Sequence, residues 1–427
     1  MNNKDVLLFI LKVEEGLKEI DVRYERQFLI TRIFLYTSFR SAKRKKKKNY
    51  KNLMFGFFIN LFSLFYFRKM MEKENMIVTP NSHYNVFVKG GGVSKHVAGL
   101  MSVLSNVSVF SNGTNYRVNL PNLDLFFQVF FKFSKKNHIE DSKFVNDFVS
   151  VFKSTSLSMG MNEKFSPYDI RYWLEKSKKS LEFYSYMIPS NIKLKSVYFI
   201  AYYNFNTIGL IEALKNKGVE CVDYQHGIQN DYHPMYSKLT NLECSFGMPT
   251  KFWMWDSVSN NRIVSSVGEK KAKEVGNLWF KTSKYKESFQ LLPRPQKTIL
   301  VALQLWPNYF NFKVLNVVSK NKDILWVFRE HPLNLLSHEV KEDLLNKNEN
   351  IIFENIDEVS VESSIQSSCL CMTGYSTVAI EAYYSGKKAV FFHENAKYGL
   401  SKYIDDRNIF YADDEEGIQK IIDLIFN

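Results

Sequence analysis

Cysteine is scarce in this chain: Cys221, Cys244, Cys369 and Cys371 are the whole supply in 427 residues. Four thiols so spaced do not make the disulfide framework of a secreted domain. The alternation Cys369-Leu370-Cys371 reads as a buried strand, and no second Cys or His pair stands at zinc spacing beside it. Acidic residues are missing from Arg26 to Met71, a stretch that holds twelve Lys or Arg. Without those twelve the chain has 45 basic and 44 acidic residues, so the net charge of +13 belongs to one strip. A neutral body with one basic strip excludes a surface coated by nucleic acid and points to a local electrostatic contact. A secretory signal is lacking at Met1-Asn2-Asn3-Lys4-Asp5, so a cytoplasmic location is expected.

Long apolar runs are lacking too. The longest, Leu53 to Phe67, would span roughly 22 Å as a helix against the ~30 Å of a hydrocarbon core. It follows Lys43-Arg44-Lys45-Lys46-Lys47-Lys48 after four residues, Asn49-Tyr50-Lys51-Asn52. One reading is an interfacial anchor on the anionic inner face of the cytoplasmic membrane. The other is a buried helix of the first domain behind a solvated basic loop. The adjacency of charge and aromatic run favours the anchor.

What the chain has is a strand–helix rhythm long enough for two domains. Residues Val6 to Val22 read as an amphipathic helix, and residues 1–74 as a helical basic and apolar extension. A first α/β domain over 75–292 has strands at Asn75–Thr79, Val107–Phe110, Ser196–Ile200, Glu220–Tyr224, Lys251–Trp255 and Glu274–Asn277, with a largely helical stretch from 119 to 191. Leu292-Pro293-Arg294-Pro295-Gln296 reads as the linker. Beyond it, strands near 298–305, 324–329, 351–354, 369–373, 388–393 and 408–411 alternate with helices through Glu415–Phe426. Such alternation implies a parallel, doubly wound, Rossmann-like domain over 296–427 facing the first.

Three short segments stand where strands end, which is where ligands bind in an open α/β sheet. Gln225-His226-Gly227 offers an imidazole able to act as a base, next to a glycine that lets a ligand approach; Asp231 and His233 follow on the same loop. Arg329-Glu330-His331-Pro332 places an arginine and a histidine at a strand rim. Gly374-Tyr375-Ser376-Thr377 turns into a helix whose start, with two hydroxyls, makes an anion site, and Glu381 one turn on suits ribose hydroxyls. Each segment alone has an ordinary structural explanation. Their joint occurrence, with half of the eight histidines in or beside these ends (His226, His233, His331, His393), favours a phosphate-handling, proton-moving site.

With these residues in view, the chain resembles bacterial GT-B glycosyltransferases of capsule and lipopolysaccharide assembly. Arg329-Glu330-His331-Pro332 looks like the His-Pro motif of bacterial sialyl- and polysialyltransferases, and Tyr375-Ser376-Thr377 like their Ser-Ser/Thr motif. Both motifs recur in CDP-glycerol glycerophosphotransferases, whose His-Gly segment is similar to His226-Gly227. The polysialyltransferases carry an acidic Asp/Glu-Gly motif where this chain has Gln225-His226-Gly227, which moves the base from a carboxylate to an imidazole. The resemblance covers roughly residues 196 to 395. It implies two facing Rossmann-like domains and a nucleotide-sugar donor, cytidine nucleotide favoured, held by Arg329, His331, Pro332, Ser376, Thr377 and Glu381. It also implies a lipid-linked polysaccharide acceptor near Gln225 and Gly227, with His226 as base and Asp231 or His233 as substitutes. No cofactor, metal or nucleic acid is expected.

A CDP-glycerol-type transferase, a nucleotide-sugar 2-epimerase and a non-catalytic membrane scaffold are the alternatives. A metal-dependent GT-A transferase would carry Asp-x-Asp, which occurs nowhere. Gly90-Gly91-Gly92-Val93-Ser94-Lys95 lacks the P-loop spacing and reads as a turn of the first domain on the acceptor side.

If the basic strip anchors the chain, sedimentation with anionic vesicles will fall as salt rises. It will also fall when Lys45 to Lys48 are changed to Gln. Equal binding by that variant would reduce the strip to a solvated loop.

Overall fold

The computed structural model of the chain describes residues 3–40, 63, 66–79, 85–88, 91–111, 123–133, 142–161, 166–282, 285, 290–304, 312–331 and 334–426. They form two compact units, residues 1–83 with 100–277 and residues 84–99 with 278–427. The proline-rich segment expected as the linker lies inside the second unit. There the Leu292 N–H donates to Ser367 Oγ at 2.8 Å, Thr298 Oγ1 donates to the Pro295 carbonyl at 2.7 Å, and Arg294 pairs with Glu354. Its prolines end one segment and start a strand without separating domains.

The first unit is built on a parallel sheet of six strands in the order β4-β1-β5-β6-β7-β8. These are β1 Asn75–Thr79, β4 Val107–Ser111, β5 Ser196–Ile200, β6 Glu220–Tyr224, β7 Lys251–Met254 and β8 Ala272–Glu274. The strands expected from the apolar runs are all present; the last is shifted by two residues, onto Ala272–Glu274. Both faces of the central strands are buried, as a parallel sheet with crossover helices requires. The helices Ile170–Met187 and Phe205–Lys215 pack on each other with unusual closeness. A Cβ at Gly209 would stand 2.3 Å from Ser180 Oγ and 2.8 Å from the Leu181 nitrogen, so only glycine permits the contact.

The first 40 residues are part of this unit's core, where a separate extension was expected. Helix Asn3–Ile20 and helix Phe28–Arg40 contribute Phe9, Val13, Leu17, Phe28, Ile33 and Phe34 to the cluster that also holds Phe148 and Val197. Their apolar stripes are too extensive to be left in water. Between them lies a fully buried ion pair: Arg32 Nε to Glu14 Oε1 and Nη2 to Oε2, each 2.6 Å. The same guanidinium donates to the carbonyls of Pro234, Ser237 and Lys238 at 2.8, 3.1 and 3.2 Å. At the end of the apolar run, Phe67 is buried against Phe110 with ring centroids 5.4 Å apart. The rest of the anchor reading, Lys43 to Lys48 and most of Leu53 to Phe67, lies outside the described residues. Among those described, no helix is long and apolar enough to cross a membrane.

The second unit carries a parallel sheet in the order β11-β10-β9-β12-β13-β14. Its strands are β9 Thr298–Ala302, β10 Leu325–Arg329, β11 Ile351–Phe353, β12 Leu370–Thr373, β13 Lys388–Phe391 and β14 Ile409–Tyr411. Numbered within the unit this is 3-2-1-4-5-6, the order of dinucleotide-binding domains, whose ligand crevice opens between the first and fourth strands. The glycine-rich segment belongs here and not to the first domain. Gly91–Ser94 is β3, antiparallel to β2 Asn85–Val88, and it leads straight into helix Lys95–Met101. Two adjacent glycines at a strand start carry no element signal of their own, which hid this hairpin.

Replacing Arg32 by Leu leaves Glu14 buried without its partner and should cost about 3–5 kcal/mol of unfolding free energy. Replacing both members by apolar residues should be far milder. A urea midpoint for Arg32→Leu equal to that of the unaltered chain would contradict this role.

Candidate functional site

In the first sheet the strand order reverses between β1 and β5, so its crevice lies beyond Thr79 and Ile200. The chain leaves β5 through Ala201, a non-glycine residue held at φ 62°, a strained conformation of the kind found at ligand sites. The turn it makes sets Tyr203 beside the end of the next strand, β6. There the Tyr203 hydroxyl lies 3.2 Å from His226 Nε2, and the Tyr236 hydroxyl lies 3.5 Å from His226 Nδ1. The imidazole is half-buried, and burial lowers its pKa to about 4. His226 is therefore neutral at ordinary pH and keeps a lone pair on one ring nitrogen, although burial makes it a weaker base than a free imidazole.

The two substitutes for the base are differently placed. His233 Nδ1 accepts the Met235 N–H at 3.2 Å, so its lone pair is committed to the backbone, and its Nε2 faces the Tyr36 hydroxyl at 3.5 Å. Asp231 is the partner of a buried arginine, Arg262, whose Nε and Nη2 donate to Oδ1 at 2.9 and 2.7 Å. Gln225, expected on the acceptor side, is fully buried instead. Its Nε2 donates to the Gly227 carbonyl and Ser259 Oγ at 3.0 and 3.1 Å, and its Oε1 accepts the Trp255 N–H at 2.7 Å. It ties β6 to β7 and shapes the His226-Gly227 turn from behind. Arg32 holds the far end of the same loop through its three carbonyls.

In the second unit β10 ends at Arg329. That side chain does not reach outward: Nη1 donates to Glu354 Oε2 at 2.5 Å and Ser364 Oγ at 3.1 Å, and Nη2 to the Val359 carbonyl at 2.9 Å. It is a brace for the 354–364 segment, and a phosphate would have to compete with a buried carboxylate for it. Glu330 is likewise occupied, accepting the Leu336 N–H at 2.6 Å and pairing with Lys341 at 2.5 Å. These two fix the strand end that carries half-buried His331, whose carbonyl accepts the Asn334 N–H at 2.8 Å. Pro332 lies outside the described residues.

Helix Val378–Tyr384 starts where Ser376-Thr377 were expected to start one, after β12. The turn before it is not left as bare donors. With its amide oriented by its neighbours, Gln304 places its carbonyl oxygen 3.1 Å from the Tyr375 nitrogen and 2.7 Å from the Ser376 nitrogen. Glu381, half-buried, lies 3.5 Å from Lys95 Nζ, and Glu362 lies 2.6 Å from the same nitrogen. Burial raises the Glu381 pKa; Lys95 opposes that and Glu362 adds to it. Burial disfavours the charge of Lys95, but the two carboxylates outweigh it and hold its pKa above that of an ordinary lysine.

Sequence reasoning missed Tyr203, Tyr236, Gln304, Lys95 and Glu362. Tyr203 had one legible signal, its position three residues past a strand end, and Tyr236 lies on the His226 loop itself; the others are brought in from distant segments.

No family model matches the sequence, and no curated protein matches it. Among solved structures, the chain is similar to a UDP-N-acetylglucosamine 2-epimerase at 11% identity, over 83% of this chain and 88% of that one, with a TM-score of 0.50. It is also similar to the UDP-GlcNAc 2-epimerase of Neisseria meningitidis bound to UDP-GlcNAc (12% identity, 82% and 91% covered, TM-score 0.48). A third is CalG4, the calicheamicin glycosyltransferase (11%, 83% and 90%, TM-score 0.45). At such identities the likeness concerns the fold. The two Rossmann-like units are those of a GT-B-type fold.

His226 gives a stability signature. Between pH about 4 and 6.5 the unfolded chain takes up a proton that folded His226 refuses. Stability therefore rises with pH across that window and falls on acidification. Urea midpoints of His226→Gln should show a shallower slope between those limits than the unaltered chain; an equal slope would mean that His226 titrates normally.

Proposed function

We propose that this chain is a metal-independent glycosyltransferase. It moves a sugar from a nucleotide-activated donor, cytidine nucleotide favoured, to a hydroxyl of a growing lipid-linked surface polysaccharide. The observation that supports it most is the neutral, half-buried His226 flanked by two tyrosine hydroxyls at the strand ends of the first sheet. Deprotonating an acceptor hydroxyl as the sugar passes through an oxocarbenium-like state needs such a base. In this reading the second unit holds the nucleotide at its 3-2-1-4-5-6 crevice. His331, Ser376 and Thr377 face the phosphates there, and Glu381 the ribose. The charge of the departing nucleotide then develops before fixed donors, so no metal or cofactor is required.

The base is assigned to His226 rather than His233 or Asp231 because those two are committed to the Met235 amide and to Arg262. Arg329 is assigned a supporting role behind His331. Association with the cytoplasmic face of the membrane through residues 40–67 completes the reading and rests on the sequence.

Nucleotide-sugar 2-epimerisation is the second reading, since a solved 2-epimerase shares the fold. One experiment separates the two. The purified chain is incubated with a panel of nucleotide sugars and an oligosaccharide acceptor, and both nucleotide release and configuration at C2 are followed. Transfer predicts acceptor-dependent release that falls by about 10²–10³ in His331→Ala and by about 10²–10⁴ in His226→Ala. Conversion of the donor to its C2 epimer without acceptor would replace transfer by epimerisation. No turnover of any donor would leave the scaffold reading.

A further inference from the structure

Arg32 makes more contacts than a charge pair needs. A guanidinium carries five N–H donors in a fixed planar fork. Nε and one N–H of Nη2 go to the two oxygens of Glu14, and the other three N–H groups go to the carbonyls of Pro234, Ser237 and Lys238. Every donor has its own acceptor, and both side chains of the pair are fully enclosed. Stability alone gives little reason for this, because a buried pair exchanged for well-packed apolar residues is often neutral or better. Apolar residues cannot supply donors to three carbonyls.

Those carbonyls belong to the turn that carries the groups around His226. Within it the His233 N–H donates to the Asn230 carbonyl at 3.1 Å, and the Tyr236 and Ser237 N–H groups both donate to the His233 carbonyl at 2.9 Å. The Tyr202 hydroxyl donates to the Met235 carbonyl at 2.7 Å. From this turn Tyr236 brings its hydroxyl to 3.5 Å from His226 Nδ1, and the His233 ring packs on Tyr236 at 5.0 Å between centroids. The turn ends at Lys238, held at φ 54° and ψ 50°. A non-glycine residue stays in that left-handed conformation only where its surroundings over-determine it, and its carbonyl is one of the three on Arg32. One helical turn beyond Arg32, the Tyr36 ring packs on His233 at 5.4 Å, so helix Phe28–Arg40 meets the turn twice on one face.

We propose that Arg32 is a positioning residue: through the carbonyls of Pro234, Ser237 and Lys238 it fixes the turn that sets Tyr236 against His226. Glu14 supplies the counter-charge without which the guanidinium could not be buried there. A helix near the start of the chain, outside the 196–395 span of the resemblance, thereby becomes part of the candidate site. The role rests on the reading of His226 as base, yet the placement of the ring exists without substrate and can be measured without it.

The test is Arg32→Lys in the full chain. Lysine keeps the charge that Glu14 needs, but a compact ammonium with three donors cannot serve Glu14 and three carbonyls together. Amide hydrogen exchange in residues 230–238 should quicken, while helix Phe205–Lys215 in the same unit exchanges as before. The His226 ring resonances, assigned by their loss in His226→Gln, should move. Acceptor-dependent turnover should fall by about 10² with KM for the donor unchanged, the effect of a misplaced group near the chemistry. Glu14→Leu combined with Arg32→Leu leaves no buried charge unpaired and should give the same changes, which keeps the test open if Arg32→Lys does not fold. A folded variant in which residues 230–238 and the His226 resonances match the unaltered chain would overturn the proposal. Exchange quickened equally throughout the first unit would also overturn it, reducing Arg32 to a stabilising residue. A loosened turn and displaced His226 with unchanged turnover would uphold the positioning and remove His226 from the reaction.

Discussion

Parallel pairing is the constraint from which the rest follows. When every strand in a sheet runs the same way, each must return through a helix on one face, and every strand ends on the same side. Both six-stranded sheets are wholly parallel among the described strands. His226 and Tyr203 in one unit, and His331, Gln304 and Ser376 in the other, are gathered by that rule and not by nearness in sequence. Their chemistry depends on strands whose own residues are almost entirely apolar.

Burial then decides what each gathered group can do. The same enclosure that keeps His226 neutral pushes the pKa of fully buried Asp223 upward. In the second unit, buried Glu354 draws the Arg329 guanidinium inward to neutralise it. Lys95 stands in the same relation to Glu362 and Glu381. Charged residues near these strand ends are drawn to the carboxylates that lie deepest, Glu354 and Glu362.

The strands were legible because parallel strands leave short apolar runs ended by polar residues. Thr298 to Leu305 and Ile324 to Arg329 could hardly be read otherwise, and the regular spacing gave the Rossmann-like class. Domain boundaries were less legible. Two prolines at 293 and 295 look like a linker, but they sit on the second unit because Ser367 and Glu354 bind that segment. The amphipathic helix from Val6 was recognised, whereas its destination was not, since the Glu14–Arg32 pair joins two helices and a loop two hundred residues away. Site residues followed the same pattern. His226 and Ser376 announced themselves by position, while Lys95 and Gln304 arrive only through tertiary packing.

The central claim is that the second unit's strand ends bind a sugar nucleotide, and equilibrium calorimetry tests it most directly. CMP, CDP and UDP are titrated into the full chain and into Glu381→Ala. The account predicts that at least one nucleotide binds the unaltered chain, that Glu381→Ala weakens it about tenfold, equivalent to about 1.4 kcal/mol, and that His226→Ala leaves it unchanged. Absence of binding by all three nucleotides, or equal affinity in Glu381→Ala, would contradict it.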